Sequence, residues 1–322
     1  MSANLQSDNN CNLNVTLYKQ GLPHLTGASP SWEDDAYGNP SGSYGTVAQY
    51  GCAMTSSAMM LNHQGIAVDP GQLNTWLRSQ ADGYKGGALN WVAVARYARE
   101  HGVNLYYHGK LASGTSADSY LSQAVCDLSL PVVLDVSGLG GTSSHFVLAT
   151  GQTEVSGQQT WAINDPVNWA SPRTTLQAYS FQYSSVRVFN AVQQGAIVAG
   201  GTDTIQVLVT DPLGRRLGVR ADGSTVSEIP NATYSTESID DDNNPGEDST
   251  PPERVAEIIE PIDGTYIVQI FGVGAGDYRM HFFSYDDEQN PNGTDVFEER
   301  PDRDQREPSS STTSRHPAPA LR

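Results

Sequence analysis

The order of hydrophobic periods along the chain restricts its fold class. Between residues 56 and 130, apolar side chains recur at helical spacing in four segments that carry helix-boundary residues: SSAMMLNHQGI, DPGQLNTWLRSQ, NWVAVARYAREHG and SADSYLSQAVCDLSL. From residue 131 to residue 166 the pattern changes to short β-rich runs separated by turns: PVVLDVS, SHFVLATGQTE and QTWAINDP. Helices followed by a strand meander predict an α+β domain in which a helical layer covers an antiparallel sheet.

The second half of the chain shows strand patterns without helices. Asp-Pro, Asp-Gly and Gly-Asp turns separate β-rich runs such as DTIQVLVTDP and GTYIVQIFGV, the pattern of an all-β sandwich. We predict a disordered N-terminus at residues 1–14, an α+β domain at 15–190, a β-sandwich accessory domain at 193–290 and a disordered tail at 291–322. An acidic stretch at about 236–253 predicts a solvated loop within the sandwich, with loose calcium binding as the alternative.

Composition excludes several classes of partner. The formal net charge is −18, and most of the acidic excess lies in the second half of the chain. Such a charge disfavours nucleic acid and anionic membrane surfaces, so neither is a predicted partner. No run approaches the roughly 18 apolar residues of a membrane span, so we predict no transmembrane segment. The N-terminus lacks the basic and apolar regions of a signal peptide.

Three cysteines limit the redox and metal chemistry: Cys11, Cys52 and Cys126. Because their number is odd and their spacing wide, we expect no disulfide framework. None has the spacing of zinc ligands, and we predict neither a metal nor another cofactor. Cys126 occupies an apolar helical position, which is typical of a core residue.

Cys52 is the cysteine best placed for catalysis. It follows Gly51 and opens a predicted helix, where the helix dipole and the free N–H groups stabilise a thiolate. Gly51 lets the chain turn and a substrate approach. The alternative is a small residue packed at the start of a helix, and the position alone does not exclude it.

A nucleophilic cysteine needs a base and a group that orients the base. His145 begins an apolar strand, and the next strand ends at Asn164 and Asp165. In an antiparallel hairpin, the start of the first strand lies beside the end of the second, so His145 and one of these polar residues would be neighbours. Adjacent strand residues face opposite ways, so only one of the two can face the histidine. Taken singly, a strand-end histidine and an Asx-Pro turn have simpler structural interpretations.

A family resemblance is carried by five segments: YGTVAQYGCAMTSSAMMLNHQGIAVDPGQLNTWL, LNWVAVARY, LPVVLDVS, HFVLATGQ and WAINDP. Their order and approximate spacing resemble papain-clan domains akin to the double-glycine-leader (bacteriocin-processing) peptidases, most closely the free-standing bacterial members, over about residues 15–185. The resemblance implies a papain-like cysteine peptidase fold and hydrolysis of peptide bonds at a Cys–His–Asp site. It assigns Cys52 as the nucleophile, His145 as the base and Asp165 as the group that orients the base.

The same resemblance implies a glutamine side chain that donates to the oxyanion. Gln20, at the end of an early strand in LYKQGLPHL, matches the strand-borne glutamine of the family better than Gln49 does. Two features depart from the family. Ala53 stands where a second glycine is common, and the membrane spans and ATPase module of transporter-linked relatives are not in this sequence. These departures weaken the link to export and leave the chemistry intact.

The sequence therefore predicts a cysteine peptidase that cleaves a peptide or protein substrate through an acyl-enzyme. Two alternatives stay open: a catalytically silent, papain-like peptide-binding module, and an acyltransferase of the same clan, which shares the acyl-enzyme. The predicted β-sandwich loosely resembles C-terminal modules of bacterial surface and secreted proteins. On that basis we expect it to have an accessory role and a cell-surface or extracellular partner, and we expect the protein to be extracytoplasmic or secreted.

Overall fold

The computed structural model describes residues 11–21, 29–42, 44–137, 144–243, 249–299 and 312–313. Helices and antiparallel strands are mixed up to residue 190, and the described residues after it form strands, which confirms the predicted mixture of helices with mainly antiparallel sheets. The α-helices are α1 (Val47–Tyr50), α2 (Cys52–His63), α3 (Pro70–Ser79), α4 (Trp91–Glu100) and α5 (Thr115–Ser122). None of these described helices has the length and apolar character needed to cross a bilayer.

Helix α2 lies at the centre of the first half of the chain. Every residue from Cys52 to Leu61 is buried, since small and apolar side chains face all sides of the helix. The serines among them satisfy their hydroxyl groups within the core. Ser57 Oγ donates to Ala53 O at 2.8 Å, and Ser56 Oγ donates to the backbone carbonyl of a neighbouring strand at 3.3 Å. The second bond fixes the helix directly to the sheet.

A five-stranded antiparallel sheet packs against α2, with the strand order β3-β7-β4-β5-β6. In chain order, the strands of the first half are β1 (Tyr84–Lys85), β2 (Ala88–Leu89), β3 (Tyr106–Ala112), β4 (Val132–Ser137), β5 (Ser144–Val155), β6 (Gln158–Asn164) and β7 (Ser185–Asn190), of which β1 and β2 form a separate ribbon. Leu148 of β5 lies opposite Asn164 of β6. The start of β5 therefore lies beside the residues that follow β6, as the hairpin prediction requires.

The first described residues lie along β5. Gln152 N donates to Cys11 O at 2.8 Å, so residues 11–14 border the sheet, while residues 1–10 of the predicted disordered N-terminus lie outside the described residues. Cys11 forms a disulfide bond with Cys126. Our expectation of no disulfide framework was wrong for these two cysteines. A bridge requires only that two thiols meet in space, and spacing along the sequence cannot show this.

Two five-stranded antiparallel sheets form the second half, with the orders β11-β10-β9-β14-β17 and β12-β13-β8-β15-β16. Their strands are β8 (Ala196–Thr202), β9 (Ile205–Thr210), β10 (Arg216–Val219), β11 (Thr225–Ser227), β12 (Ala232–Glu237), β13 (Glu253–Ile259), β14 (Ile267–Gly272), β15 (Tyr278–Tyr285), β16 (Pro291–Glu299) and β17 (Thr312–Thr313). Val207 and Val268 of the first sheet share a buried cluster with Ile258 and Phe282 of the second. Strand β16 lies within the segment that the sequence assigned to the tail, and residues 300–311 and 314–322 lie outside the described residues.

The second half also contributes to the core of the first. Val198, Val255 and Phe283 belong to the same buried cluster as the side chains of α2 and β5. Lys85 of the β1–β2 ribbon is fully buried and forms ion pairs with carboxylates of β12 and β13. The two halves thus share apolar contacts and a buried charge network. Whether residue 190 separates two independent domains stays a prediction.

Candidate active site

Cys52 is the first residue of α2, and Gly51 is its N-cap residue. The thiol is buried and does not take part in the disulfide. A capping box between Thr46 and Gln49 fixes the preceding helix α1. A Cβ atom at position 51 would lie 2.4 Å from Val47 O, so glycine is required for α1 and α2 to follow each other so closely. The local sequence therefore places the thiol at a helix start.

His145 lies near the start of β5 and contacts the residue that follows β6. Its Nε2 is 3.1 Å from Asp165 Oδ1. Asn164 points elsewhere, because its Nδ2 donates to Val15 O at 3.2 Å. This is the alternation expected of neighbouring strand residues. The structure thus brings Asp165, and not Asn164, to the histidine.

Asp165 is held by three further donors. Val167 N donates to Oδ1 at 3.0 Å, while Trp169 Nε1 and Tyr179 Oη donate to Oδ2 at 2.8 and 2.5 Å. Burial raises the pKa of Asp165, but His145 and the donors outweigh burial, and the net pKa lies below its usual value. The sequence analysis missed Trp169 and Tyr179. Trp169 could have been predicted as a donor to Asp165, because its indole N–H lies four residues after the aspartate in the sequence. No local sequence feature indicates Tyr179.

Gln20 is buried beside α1, and its side chain points into the same site. Its Nε2 donates to Ala48 O and to Asp242 Oδ2, both at 2.9 Å. The backbone N–H of Gln20 donates to Pro166 O at 2.9 Å, which fixes this residue to the turn after β6. A Cβ atom on Gly21 would lie 2.5 Å from the Ala48 Cβ, so glycine permits this close approach to the helix.

Residues 239–243, here called the active-site segment, occupy the site from the second half of the chain. Its three aspartates are at most 4 % exposed, so the expectation of a solvated acidic loop was wrong for these residues. The carboxylates of Asp241 and Asp242 contact protein groups instead of water, whereas Asp240 Oδ2 has no hydrogen-bond partner among the described residues. Asp242 Oδ1 lies 3.1 Å from His145 Nδ1, and Gln49 Nε2 donates to Asp241 Oδ2 at 3.0 Å. Gln49 therefore contacts the segment.

Three reactive groups converge at this point. Cys52 Sγ, a ring nitrogen of His145 and a carboxylate oxygen of Asp242 lie within 4.8 Å of one another. The contact between Nδ1 and Asp242 is not aligned as a hydrogen bond, and Nδ1 has no hydrogen-bond partner among the described residues. Thiolate, imidazole and carboxylate are also zinc ligands, so within the described part of the chain this is the set that could hold a metal. Asp165 contacts His145 and Gln20 contacts Asp242, so the structure brings together the four residues that the sequence predicts as a site.

The charges at the site favour the protonated forms of both the thiol and the imidazole. Burial and the adjacent Asp242 carboxylate raise the pKa of Cys52 to about 11, although His145 acts in the opposite direction. Burial lowers the pKa of His145, but Asp242, Tyr179 and Asp165 together raise it well above its usual value. The Asp242 carboxylate thus shifts the pKa of both the thiol and the imidazole in the direction that favours their protonated forms.

Comparison with known proteins gives one match. The model of the Peptidase C39-like family matches residues 13–192, the part of the chain that carries Gln20, Cys52, His145 and Asp165. No curated protein and no solved structure matches the chain. Since the family match covers more than half of the 322 residues, the chain belongs to the Peptidase C39-like family.

Proposed function

We propose that this chain is a cysteine peptidase that hydrolyses peptide bonds in peptides or proteins through an acyl-enzyme. The observation that carries the proposal is the position of the His145 ring, which has a nitrogen near Cys52 Sγ and whose Nε2 lies 3.1 Å from Asp165 Oδ1. Membership of a peptidase family supports the same class of reaction. Within that family, we propose that the chain is of the free-standing bacterial type.

The first step is proton transfer from the thiol. Asp165 binds His145 at Nε2, so Nδ1 is the nitrogen that accepts the proton from Cys52 Sγ. The start of α2 stabilises the resulting thiolate through its dipole and its free N–H groups. Because the Asp242 carboxylate now lies beside Nδ1, this step requires that Asp242 be withdrawn.

The thiolate then attacks the peptide carbonyl carbon. The oxyanion that forms accepts hydrogen bonds from Gln20 Nε2 and from the backbone N–H of Cys52, and collapse of this intermediate transfers the proton on His145 to the leaving amine. A water molecule, deprotonated by the same imidazole, hydrolyses the thioester. Cys52 is thereby released, and the product leaves with a new carboxylate.

A peptide library tests this proposal on the full chain carrying Asp242→Ala, with cleavage read by mass spectrometry. We expect cleavage products that disappear with Cys52→Ala and fall by about 10²–10⁴-fold with His145→Ala. Added hydroxylamine should convert the acyl-enzyme into hydroxamates. Transfer to amines without hydrolysis would favour an acyltransferase. Peptide binding without either reaction would refute the peptidase and leave a binding module.

We also propose that the strands after residue 193 form an accessory β-sandwich that binds a cell-surface or extracellular partner, in an extracytoplasmic protein. The Cys11–Cys126 disulfide supports this location, because such bonds persist in oxidising compartments. Fractionation of the producing cells, with the redox state of both cysteines read by mass spectrometry, tests it. Recovery of the reduced protein from the cytosol would contradict the assignment.

A further inference from the structure

We propose that the active-site segment is an internal ligand of the substrate cleft, and that the cleft binds acidic peptides, of which this segment is the example built into the chain. The proposal rests on the peptidase function proposed above for the same site. In this state the protein is a closed peptidase whose thiol is covered by its own residues.

The backbone of the segment binds beside the proposed catalytic histidine. Ser144 N donates to Ser238 O at 3.2 Å, and Asp240 N donates to Ser144 O at 3.4 Å. Ser144 immediately precedes His145, so these bonds add the segment to the sheet at the residue next to the imidazole. Extended peptides bind proteins in this way, with main-chain hydrogen bonds that give affinity and side-chain contacts that give specificity.

On the other side of the site, the segment binds residues that lead into α2. Asp242 N donates to Gln49 O at 2.9 Å, and Gln49 Nε2 donates to Asp241 Oδ2 at 3.0 Å. Gln20 Nε2 donates to Asp242 Oδ2 at 2.9 Å. Two neighbouring carboxylates thus each accept a hydrogen bond from a glutamine amide, that of the buried Gln20 and that of the partly buried Gln49. This gives the cleft a chemical preference for aspartate at two consecutive positions.

The Asp242 carboxylate resembles the end product of hydrolysis. Its two oxygens contact Gln20 Nε2 at 2.9 Å and His145 Nδ1 at 3.1 Å, the two groups that would face the carboxylate of a cleaved peptide. A carboxylate resists attack by a thiolate, because its negative charge makes its carbon a poor electrophile. The segment therefore blocks Cys52 without being consumed.

The fold holds the segment in place. Ile239 is 3 % exposed and belongs to the core of the first half. Its N–H donates to Thr250 Oγ1 at 2.9 Å, and Thr250 N donates to Ile239 O at 2.8 Å. An attached and ordered ligand has a high effective concentration, so a peptide from solution must displace it to reach the thiol.

Alkylation of Cys52 tests the occupancy without requiring turnover. Full chains with Asp242→Ala and with the near-isosteric Asp242→Asn are treated with iodoacetamide at pH 8 in the presence of a chelator, and labelling is followed by mass spectrometry. We expect both to label at least about ten-fold faster than the wild type, because the carboxylate that holds the segment at Gln20 and beside His145 is gone and the thiol becomes accessible. Asp263→Asn, which removes an equal charge at an exposed site, should label at the wild-type rate. Equal rates for all four chains, each shown to be folded by circular dichroism, would overturn the proposal.

A synthetic peptide of residues 238–243, SIDDDN, tests the acidic preference of the cleft. Added to the Asp242→Ala chain, it should slow alkylation in a saturable way, whereas the peptide SINNNN should not. Equal protection by both peptides, or protection by neither, would refute the acidic preference. Suppose that the Asp242→Ala chain is alkylated fast and is protected by SIDDDN, but cleaves no peptide. This result would support the proposal of an internal ligand and refute the peptidase function. Equal peptidase activity of the wild type and Asp242→Ala chains would refute the closed state and leave the peptidase intact.

Discussion

Replacing Lys85 by methionine should both destabilise the protein and loosen the active-site segment. Lys85 Nζ lies 2.9 Å from Glu237 Oε2 and 3.2 Å from Glu257 Oε1, and its side chain has no exposed surface. Glu237 is the last residue of β12 and nearly adjoins the active-site segment. Methionine retains most of the volume of the lysine stem while removing the charge. Lys85→Met therefore tests the ion pairs with little change in packing.

The expected cost follows from burial. Removing one partner of a buried ion pair costs about 3–5 kcal/mol, because the remaining charge stays buried without compensation. Lys110→Met is a matched control at the same carboxylate. Lys110 Nζ lies 3.5 Å from Glu237 Oε1 with 17 % of its side chain exposed, so its loss should cost about 1 kcal/mol. Since whole domains are stable by roughly 5–15 kcal/mol, Lys85→Met should be a severe change.

The loss of stability caused by Lys85→Met should also depend on pH. Burial raises the pKa of Glu237, but Lys85 and Lys110 outweigh it, and the net pKa lies well below the value of about 4.3 expected in the unfolded chain. This carboxylate therefore stabilises the wild type above about pH 4.3, and the contribution is lost as the pH falls toward the folded-state pKa. Without Lys85 the pKa of Glu237 rises, so the folded variant can take up a proton. The difference in stability between wild type and variant should be largest near pH 7 and smaller at about pH 5.

Urea unfolding at both pH values, followed by circular dichroism, gives the free energies of unfolding by linear extrapolation. Iodoacetamide labelling of Cys52 on the same samples reports on the segment, and we expect Lys85→Met to label faster than Lys110→Met. If Lys85→Met and Lys110→Met lower the free energy of unfolding by amounts that agree within about 0.5 kcal/mol, the reasoning is refuted. Burial would then not distinguish the two lysines.

In the Asp242→Ala chain, Asp165→Asn should lower kcat for peptide hydrolysis by about 10²–10⁴-fold with little change in KM. The reason is that an amide does not hold His145 in the reactive tautomer. An unchanged kcat in steady-state kinetics would contradict this role of Asp165. Gln20→Ala in the same chain should lower kcat by about 10²–10³-fold through loss of an oxyanion donor, and an effect confined to KM would assign Gln20 to binding alone. Cys11→Ser should lower the free energy of unfolding by up to about 5 kcal/mol, given the separation of 115 residues between the bridged cysteines, and a reductant should bring the wild type to the same value. If a reductant leaves the urea unfolding curve of the wild type unchanged, the bridge does not contribute.

Local pairing explains why part of the site could be predicted from the sequence. His145 and Asp165 belong to one antiparallel hairpin, so strand alternation was enough to bring one of two polar residues to the imidazole. Cys52 was marked by its place at a helix start after glycine. Gln20 required the family resemblance, because its contacts with Pro166 and Asp242 join it to residues far along the chain.

The contribution of the second half could not be predicted in the same way. Asp242 lies 222 residues from Gln20 along the chain, and no periodicity relates two such positions. A run of acidic residues predicts solvation, because an isolated carboxylate loses hydration free energy on burial. Only the assembled fold supplies the amides of Gln20 and Gln49 and the imidazole that offset this loss. The Cys11–Cys126 bond was missed for a similar reason, since it depends on where residues 11–14 pair with β5.

Two carboxylates lie beside the His145 imidazole, and the second one changes which protonated forms of His145 and Cys52 are favoured. Asp165 alone, on Nε2, orients the ring and leaves Nδ1 able to receive the proton of Cys52. A second carboxylate beside Nδ1, that of Asp242, favours the imidazolium ion, while burial and the same charge raise the pKa of the thiol to about 11. Both shifts favour a neutral thiol beside an imidazolium ion, and an imidazole that is already protonated cannot accept the proton of the thiol. Withdrawal of one side chain therefore uncovers the thiol and also frees the imidazole to act as the base.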